Sequence, residues 1–247
     1  MTTLRRIALV LACLPISAAA IVMRHDVAPS EYESSFEQWP ATAYFHFNDR
    51  FGSATGTLIA PMWVLTAGHV SAHLEHGNRV TINGKVHRVD NAITHPNYRA
   101  ERPGHDIGLV KLQSASEVSP ARLYEGDGEV GKIITFVGAG RPGNGKTGAK
   151  GASGTIRQAR NRVEEIMFDT LVFVFDAPPD ALPLEGISGP GDSGGPAYLE
   201  LDGAIFTIGI SAFQDIGDND TEGVYGVREH YTRISAYLDW IKQVTGT

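Results

Sequence analysis

The chain has 247 residues, which suits one large all-β domain or two small ones. Hydrophobic residues make up 42%, enough for a sizeable core, and the 28 glycines and 13 prolines fit many short strands joined by tight turns better than a helical protein. A formal net charge of -7 argues against nucleic acid as the main partner.

The N-terminus reads as a secretory signal over residues 1–20. Arg5 and Arg6 form a positive start, residues 7–14 an apolar run, and Ala18-Ala19-Ala20 a small-residue cleavage site. That run is too short to cross a bilayer, and no other stretch is long enough. A buried N-terminal helix is the competing reading. The expected location is secreted or periplasmic, with no membrane contact after signal removal. The single cysteine, Cys13, lies inside the signal. A mature chain starting after it carries no disulfide, no cysteine nucleophile and no cysteine metal ligand, and its core must hold the fold unaided. Acylation of Cys13, as in bacterial lipoproteins, is an alternative fate.

Residues 39–123 form a first β-rich segment. The alternation over 41–47 and the apolar run 57–66 predict strands. Residues 80–82 and 85–89 flank Asn83-Gly84, a strong hairpin signal. Residues 107–112 predict a further strand, and 114–129 reads as a linker. A second β-rich segment follows, with strands predicted over 132–137, 171–175, 196–201 and 204–210, the last two joined at Asp202-Gly203. Ile234, Tyr237, Leu238 and Ile241 recur at helical spacing and predict one closing helix. No fixed-period repeat suggests a solenoid or propeller.

Three motifs carry chemistry. Gly191-Asp192-Ser193-Gly194-Gly195-Pro196 surrounds a serine with glycines. A serine hydroxyl needs a base to take its proton and donors to stabilise the oxyanion formed on attack, and flanking glycines let backbone N–H groups turn toward that point. A plain Gly-rich turn would use the same residue types. Leu65-Thr66-Ala67-Gly68-His69-Val70 ends an apolar run on a histidine suited to be that base. His105-Asp106-Ile107-Gly108-Leu109-Val110 places an acid just before a buried-looking strand, where it would orient an imidazole; a solvated loop acid is the alternative.

These three segments, in the order His, Asp, Ser, resemble the trypsin/chymotrypsin family of serine peptidases. The likeness extends to Gly56-Thr57-Leu58-Ile59, Trp63-Val64-Leu65, His95-Pro96-Asn97-Tyr98, Gly223-Val224-Tyr225 as the strand after the substrate pocket, and residues 237–243 as the closing helix. The resemblance implies an all-β fold of two six-stranded antiparallel β-barrels with a C-terminal α-helix. The N-terminal barrel would span 21–125 with His69 and Asp106, and the C-terminal barrel 126–247 with Ser193. It implies a disulfide-free, bacterial, secreted serine endopeptidase acting on protein or peptide substrates through an acyl-enzyme, with no cofactor and no metal. Ser193 would be nucleophile, His69 base then acid, and Asp106 its orienter. The N–H groups of Gly191 and Ser193 would form the oxyanion hole. Asp192 would pair with an N-terminal ammonium at Ile21, released by cleavage after Ala20; Arg24 is a rival cation for it. Ile187, Ser188, Phe213, Gln214 and Gly223 would form the substrate pocket. With Ile187 as an apolar floor, the pocket would refuse Lys and Arg before the cleaved bond. Ala54, Val70 and Gly189 stand where the family has cysteines, and Gly68 replaces an alanine.

The alternative function is a trypsin-fold binding protein with weak catalysis. A third reading comes from Gly140-Arg141-Pro142-Gly143-Asn144-Gly145-Lys146-Thr147, which fits a nucleotide-binding P-loop pattern. A P-loop must open a helix, whereas a glycine-rich run follows here, so a long loop is favoured. Asp215, Asp218, Asp220 and Glu222 form an acidic loop whose spacing fits no EF-hand, and a solvated loop is expected over calcium.

Overall fold

The computed structural model describes residues 21–48, 50–102, 104–217 and 221–246. The predicted signal segment, with Cys13, lies outside them.

Six strands close a barrel in the order Thr42–Phe47, Arg50–Ala60, Trp63–Thr66, Gly108–Leu112, Lys85–Thr94 and Arg79–Ile82. Alternating apolar residues turn inward: Ala43, Phe45, Leu58, Val80 and Ile82 are fully buried. The apolar run predicted as one strand over 57–66 is two strands. It folds back at Pro61-Met62, so that Ala60 faces Trp63. Asn83-Gly84 makes the expected two-residue hairpin, with Ile82 opposite Lys85 and both turn residues at positive φ.

The second half is one curled sheet. Its longer strands run Arg157–Arg162, Ile133–Gly138, Pro196–Leu201, Ala204–Asp215, Arg228–Arg233 and Thr170–Val174, with the short Glu165–Met167 at its edge. The curl brings its ends together through Asn161. The Asn161 amide donates to Val174 O at 2.9 Å and to Gly186 O at 3.1 Å. The predicted linker contains a two-residue strand, Arg122–Leu123, lying parallel to Phe206-Thr207.

The two ends of the described chain each pack on the opposite half. Val22–Met23 pairs with Gly143–Asn144 and Gly186–Ile187 of the second half. The closing helix, Leu238–Thr245, places Ile241 in the core of the first barrel together with Ile234 and Tyr237. Its apolar positions recur every three or four residues, so one stripe is buried and the rest is solvated.

Candidate active site

The Trp63–Thr66 strand runs into a single helical turn, Gly68–Ser71, that carries His69. Ser71 Oγ donates to Gly68 O at 3.0 Å and shapes this turn. Thr66 lies opposite Gly108 in the barrel, so the loop entering the Gly108–Leu112 strand brings Asp106 beside His69. Both oxygens of Asp106 are used on His69. The backbone N–H of His69 donates to Oδ1 at 2.8 Å, and ring Nδ1 meets Oδ2 at 2.8 Å. An ionised carboxylate only accepts, so Nδ1 carries the hydrogen and Nε2 keeps its lone pair.

Ser193 sits on the 188–195 loop between the Gly186–Ile187 and Pro196–Leu201 strands. Thr55 of the first barrel donates its N–H to Ser193 O at 2.8 Å and its hydroxyl to Gly191 O at 3.2 Å. Thr66 Oγ1 in turn donates to Thr55 O at 2.7 Å. The serine loop is thereby held against the strand that leads to His69. Among the described residues no hydrogen bond joins Ser193 to His69. Such bonds often tighten only when substrate binds.

Gly191 has φ 103°, a conformation that an L side chain rarely adopts. The consequence is visible in the amides. Asp192 N donates to Gly189 O at 2.9 Å, Gly194 N to Ser211 O at 2.9 Å and Gly195 N to Asp192 O at 2.8 Å. The N–H groups of Gly191 and Ser193, alternating with these, have no partner among the described residues.

Asp192 turns away from Ser193 and is buried. Its Oδ1 accepts from Gly140 N at 2.7 Å; its Oδ2 accepts from Gly189 N at 2.9 Å and Ile21 N at 3.2 Å. Burial pushes its pKa up to about 6, with these amides pulling the other way. Ile21 is fully buried, with its N–H on Asp192. Arg24 is not a rival for that acid: its guanidinium pairs with Asp26 at 2.7 Å and donates to Leu182 O at 2.9 Å. The P-loop-like segment is a hairpin, Gly143–Asn144 against Gly148–Ala149, with no helix after it, and its first N–H goes to Asp192.

The expected pocket residues divide. Ser188, Gln214 and Gly223 come together: Gln214 Nε2 donates to Ser188 O at 2.8 Å, and Gly223 N donates to Gln214 Oε1 at 3.0 Å. Phe213 stacks on His230 with ring centroids 4.4 Å apart and faces two clefts. One, of about 510 Å³, runs past His69, Tyr98, Asp106 and Ala212. The other, of about 420 Å³, is lined by Met167, Phe168, Arg228 and His230. Ile187 pairs with Val22 and packs in a buried cluster with Phe175 and Val227. Gly223-Val224-Tyr225 is not a strand but a run of turns; the strand begins at Arg228.

That shift in register hid Glu229. It is buried beside Ser188, accepting its N–H at 2.9 Å and its hydroxyl in a short bond. Burial pushes its pKa up to about 7, the Ser188 bonds lower it, and the charge of Asp192 adds to the rise. A lone acid alternating with Val227 and Tyr231 on a strand face was the available signal. At the family's cysteine positions, Ala54 and Val70 are buried carbon in the barrel core, and Gly189 donates to Asp192. Asp218 and Asp220 of the acidic loop lie outside the described residues, and Asp215 Oδ1 accepts from Gly217 N at 3.1 Å.

A barrel and a curled sheet meeting at a His–Asp pair and a glycine-flanked serine define a chymotrypsin-like serine hydrolase. The chain belongs to the trypsin family, whose model matches residues 29–241. It is similar to brachyurin of Leptuca pugilator, 27% identical over 235 residues, covering 84% of this chain and 94% of that protein. It is also 27% identical to the CLIP domain-containing serine protease B4 of Anopheles gambiae, across 93% of this chain and 73% of that one. In fold it matches neuropsin, a serine protease expressed in the limbic system of mouse brain. The TM-score is 0.68 with 22% identity, covering 87% of this chain and 98% of that one. The class is serine endopeptidase.

Proposed function

We propose that this chain is a catalytically competent, exported endopeptidase that cleaves proteins or peptides through an acyl-enzyme on Ser193. His69 Nε2 takes the hydroxyl proton as Ser193 attacks the scissile carbonyl, then returns it to the leaving amine. Asp106 fixes the imidazole and stabilises its protonated form. Water repeats the cycle on the acyl-enzyme. His69 and Asp106 belong to the half spanning about residues 21–125, and Ser193 to the half from 126 onward.

The observation that carries this reading is the pair of unpartnered N–H groups at Gly191 and Ser193, in a loop whose other amides are bonded. Two such donors beside a nucleophile suit a developing oxyanion. The clefts on either side of Phe213 suit the residues ahead of the cleaved bond. Cleavage after Ala20 would turn the Ile21 nitrogen, 3.2 Å from Asp192 Oδ2, into an ammonium, so that removing a signal peptide also completes the ion pair. The test is labelling of Ser193 by a fluorophosphonate together with hydrolysis of a casein substrate. Labelling and turnover that vanish in Ser193→Ala support the reading. A folded protein that is neither labelled nor active is instead a binding protein of this fold.

A further inference from the structure

Arg157 is a buried guanidinium whose position the endopeptidase chemistry leaves unexplained. It is 2% exposed, and its Nε and Nη1 have no hydrogen-bond partner among the described residues. Its one ion pair among the described residues, Nη2 to Glu33 Oε1, is long at 3.5 Å, and the Glu33 side chain is half exposed. An unpaired buried cation is costly, so a second negative group is expected within reach.

The strand register identifies it. Arg157 lies directly opposite Gly138 in the antiparallel ladder. Opposed residues project from the same face with their Cβ atoms about 5 Å apart. Gly138 has no Cβ, and one built there would overlap the Asp192 carboxylate. Asp192 therefore occupies the side-chain space opposite Arg157 on the same face. Burial lowers the Arg157 pKa, while the charges of Glu33 and Asp192 both act to raise it.

We propose that Arg157 is a second cation for Asp192, a positioning residue that holds the 188–195 loop in its working shape when the Ile21 nitrogen carries no charge. In a chain with residues ahead of Ile21, that nitrogen is a neutral amide donor and cannot balance the carboxylate. Arg157 can, through its charge, from the opposite side of the carboxylate. A chain not yet cut before Ile21 then keeps substantial activity, and the terminal ammonium reinforces a loop that is already ordered. This rests on the peptidase reading, because the loop's shape matters only if Ser193 reacts.

The experiment compares two forms, one starting at Ile21 and one carrying extra residues before it, each as wild type, Arg157→Gln, Arg157→Lys and Glu33→Gln. The readouts are the fluorophosphonate labelling rate, kcat and KM on a peptide, and the carboxyl titration of Asp192 by ¹³C NMR. The extended wild type should label within about tenfold of the Ile21 form. Arg157→Gln should slow the extended form by about a further hundredfold in labelling and kcat, as expected when a buried pair loses one partner. The same change should slow the Ile21 form only about threefold, since its ammonium remains. Arg157→Lys should restore the extended form. Glu33→Gln should leave the extended form unchanged or faster, because it removes the competing acid. In the extended form, Arg157→Gln should also raise the Asp192 titration. Equal losses from Arg157→Gln in both forms would overturn the proposal, as would an extended form that Arg157→Gln does not slow. A Glu33→Gln loss matching that of Arg157→Gln would reduce Arg157 to a structural partner of Glu33. If wild-type Ile21 protein is never labelled, the peptidase reading fails by itself. The NMR titration then decides the Arg157–Asp192 pair alone, and an unmoved Asp192 titration overturns it.

Discussion

Ser188 donates its backbone N–H to Glu229 Oε2 at 2.9 Å, inside the pocket wall that Gln214 spans. A buried carboxylate whose pKa lies near 7 is neutral below that point and charged above it. Peptides with Lys or Arg before the cleaved bond should therefore gain on apolar ones as pH rises between about 6 and 8. Glu229→Gln should flatten that selectivity profile. An identical slope in the variant would show that another group is responsible. The refusal of Lys and Arg expected from the sequence took Ile187 as an apolar floor and left Glu229 out of account.

The same group affects stability, with the opposite sign to a salt-bridged acid. Its folded pKa is raised, so its contribution is fully present below about 4.5, its ordinary value, and is lost as pH rises through about 7. Thermal melting should show Glu229→Gln gaining on wild type above neutrality and not at pH near 4.

Asp106→Asn keeps the shape of the acid and one acceptor but can donate to Nδ1. That favours the tautomer whose Nε2 carries the hydrogen, which cannot act as a base. A loss of about 10⁴ in kcat is expected, as in other triads of this kind. Turnover within tenfold of wild type at neutral pH would remove Asp106 from the mechanism.

Ser193→Ala should lower turnover by about a millionfold, to the roughly 10³–10⁴-fold enhancement over water that an oxyanion hole and binding alone leave. The melting temperature should barely move, because the serine side chain is only partly buried and its backbone contact with Thr55 is kept. A large loss of stability would point to a packing role.

Asn161→Ala removes both side-chain bonds that draw the ends of the second sheet together. Leaving Val174 O and Gly186 O without their donor should cost about 1–3 kcal/mol in denaturant unfolding. No measurable change would mean that the curl is held by packing alone.

Much of this was legible in the residues, and the exceptions have physical causes. A strand that is a short apolar run bounded by turn residues, such as Pro196–Leu201, was readable to the residue. Arg157–Arg162 was not, because Arg157 and Asn161 occupy inward positions usually filled by carbon, and they do so to serve Asp192 and the sheet closure. His69, Asp106 and Ser193 stood out because their neighbours are constrained by the same geometry that makes the site. The pocket was less legible. Its residues come from three separate segments whose hydrogen bonds set the register, and turns at 223–225 mimic a strand in sequence. Glu229 is invisible until that register is known.

The exchange of ends between the halves has a consequence for survival. An enzyme that cuts peptide bonds meets its own copies, and chain ends are ordinarily the first places to fray and be nicked. Here Ile21 and Val22 are clamped in the second half, and Ile241 in the first. In a chain cut before Ile21, neither end is released unless its host half opens, so resistance to self-digestion follows the opening of the whole molecule rather than local fraying.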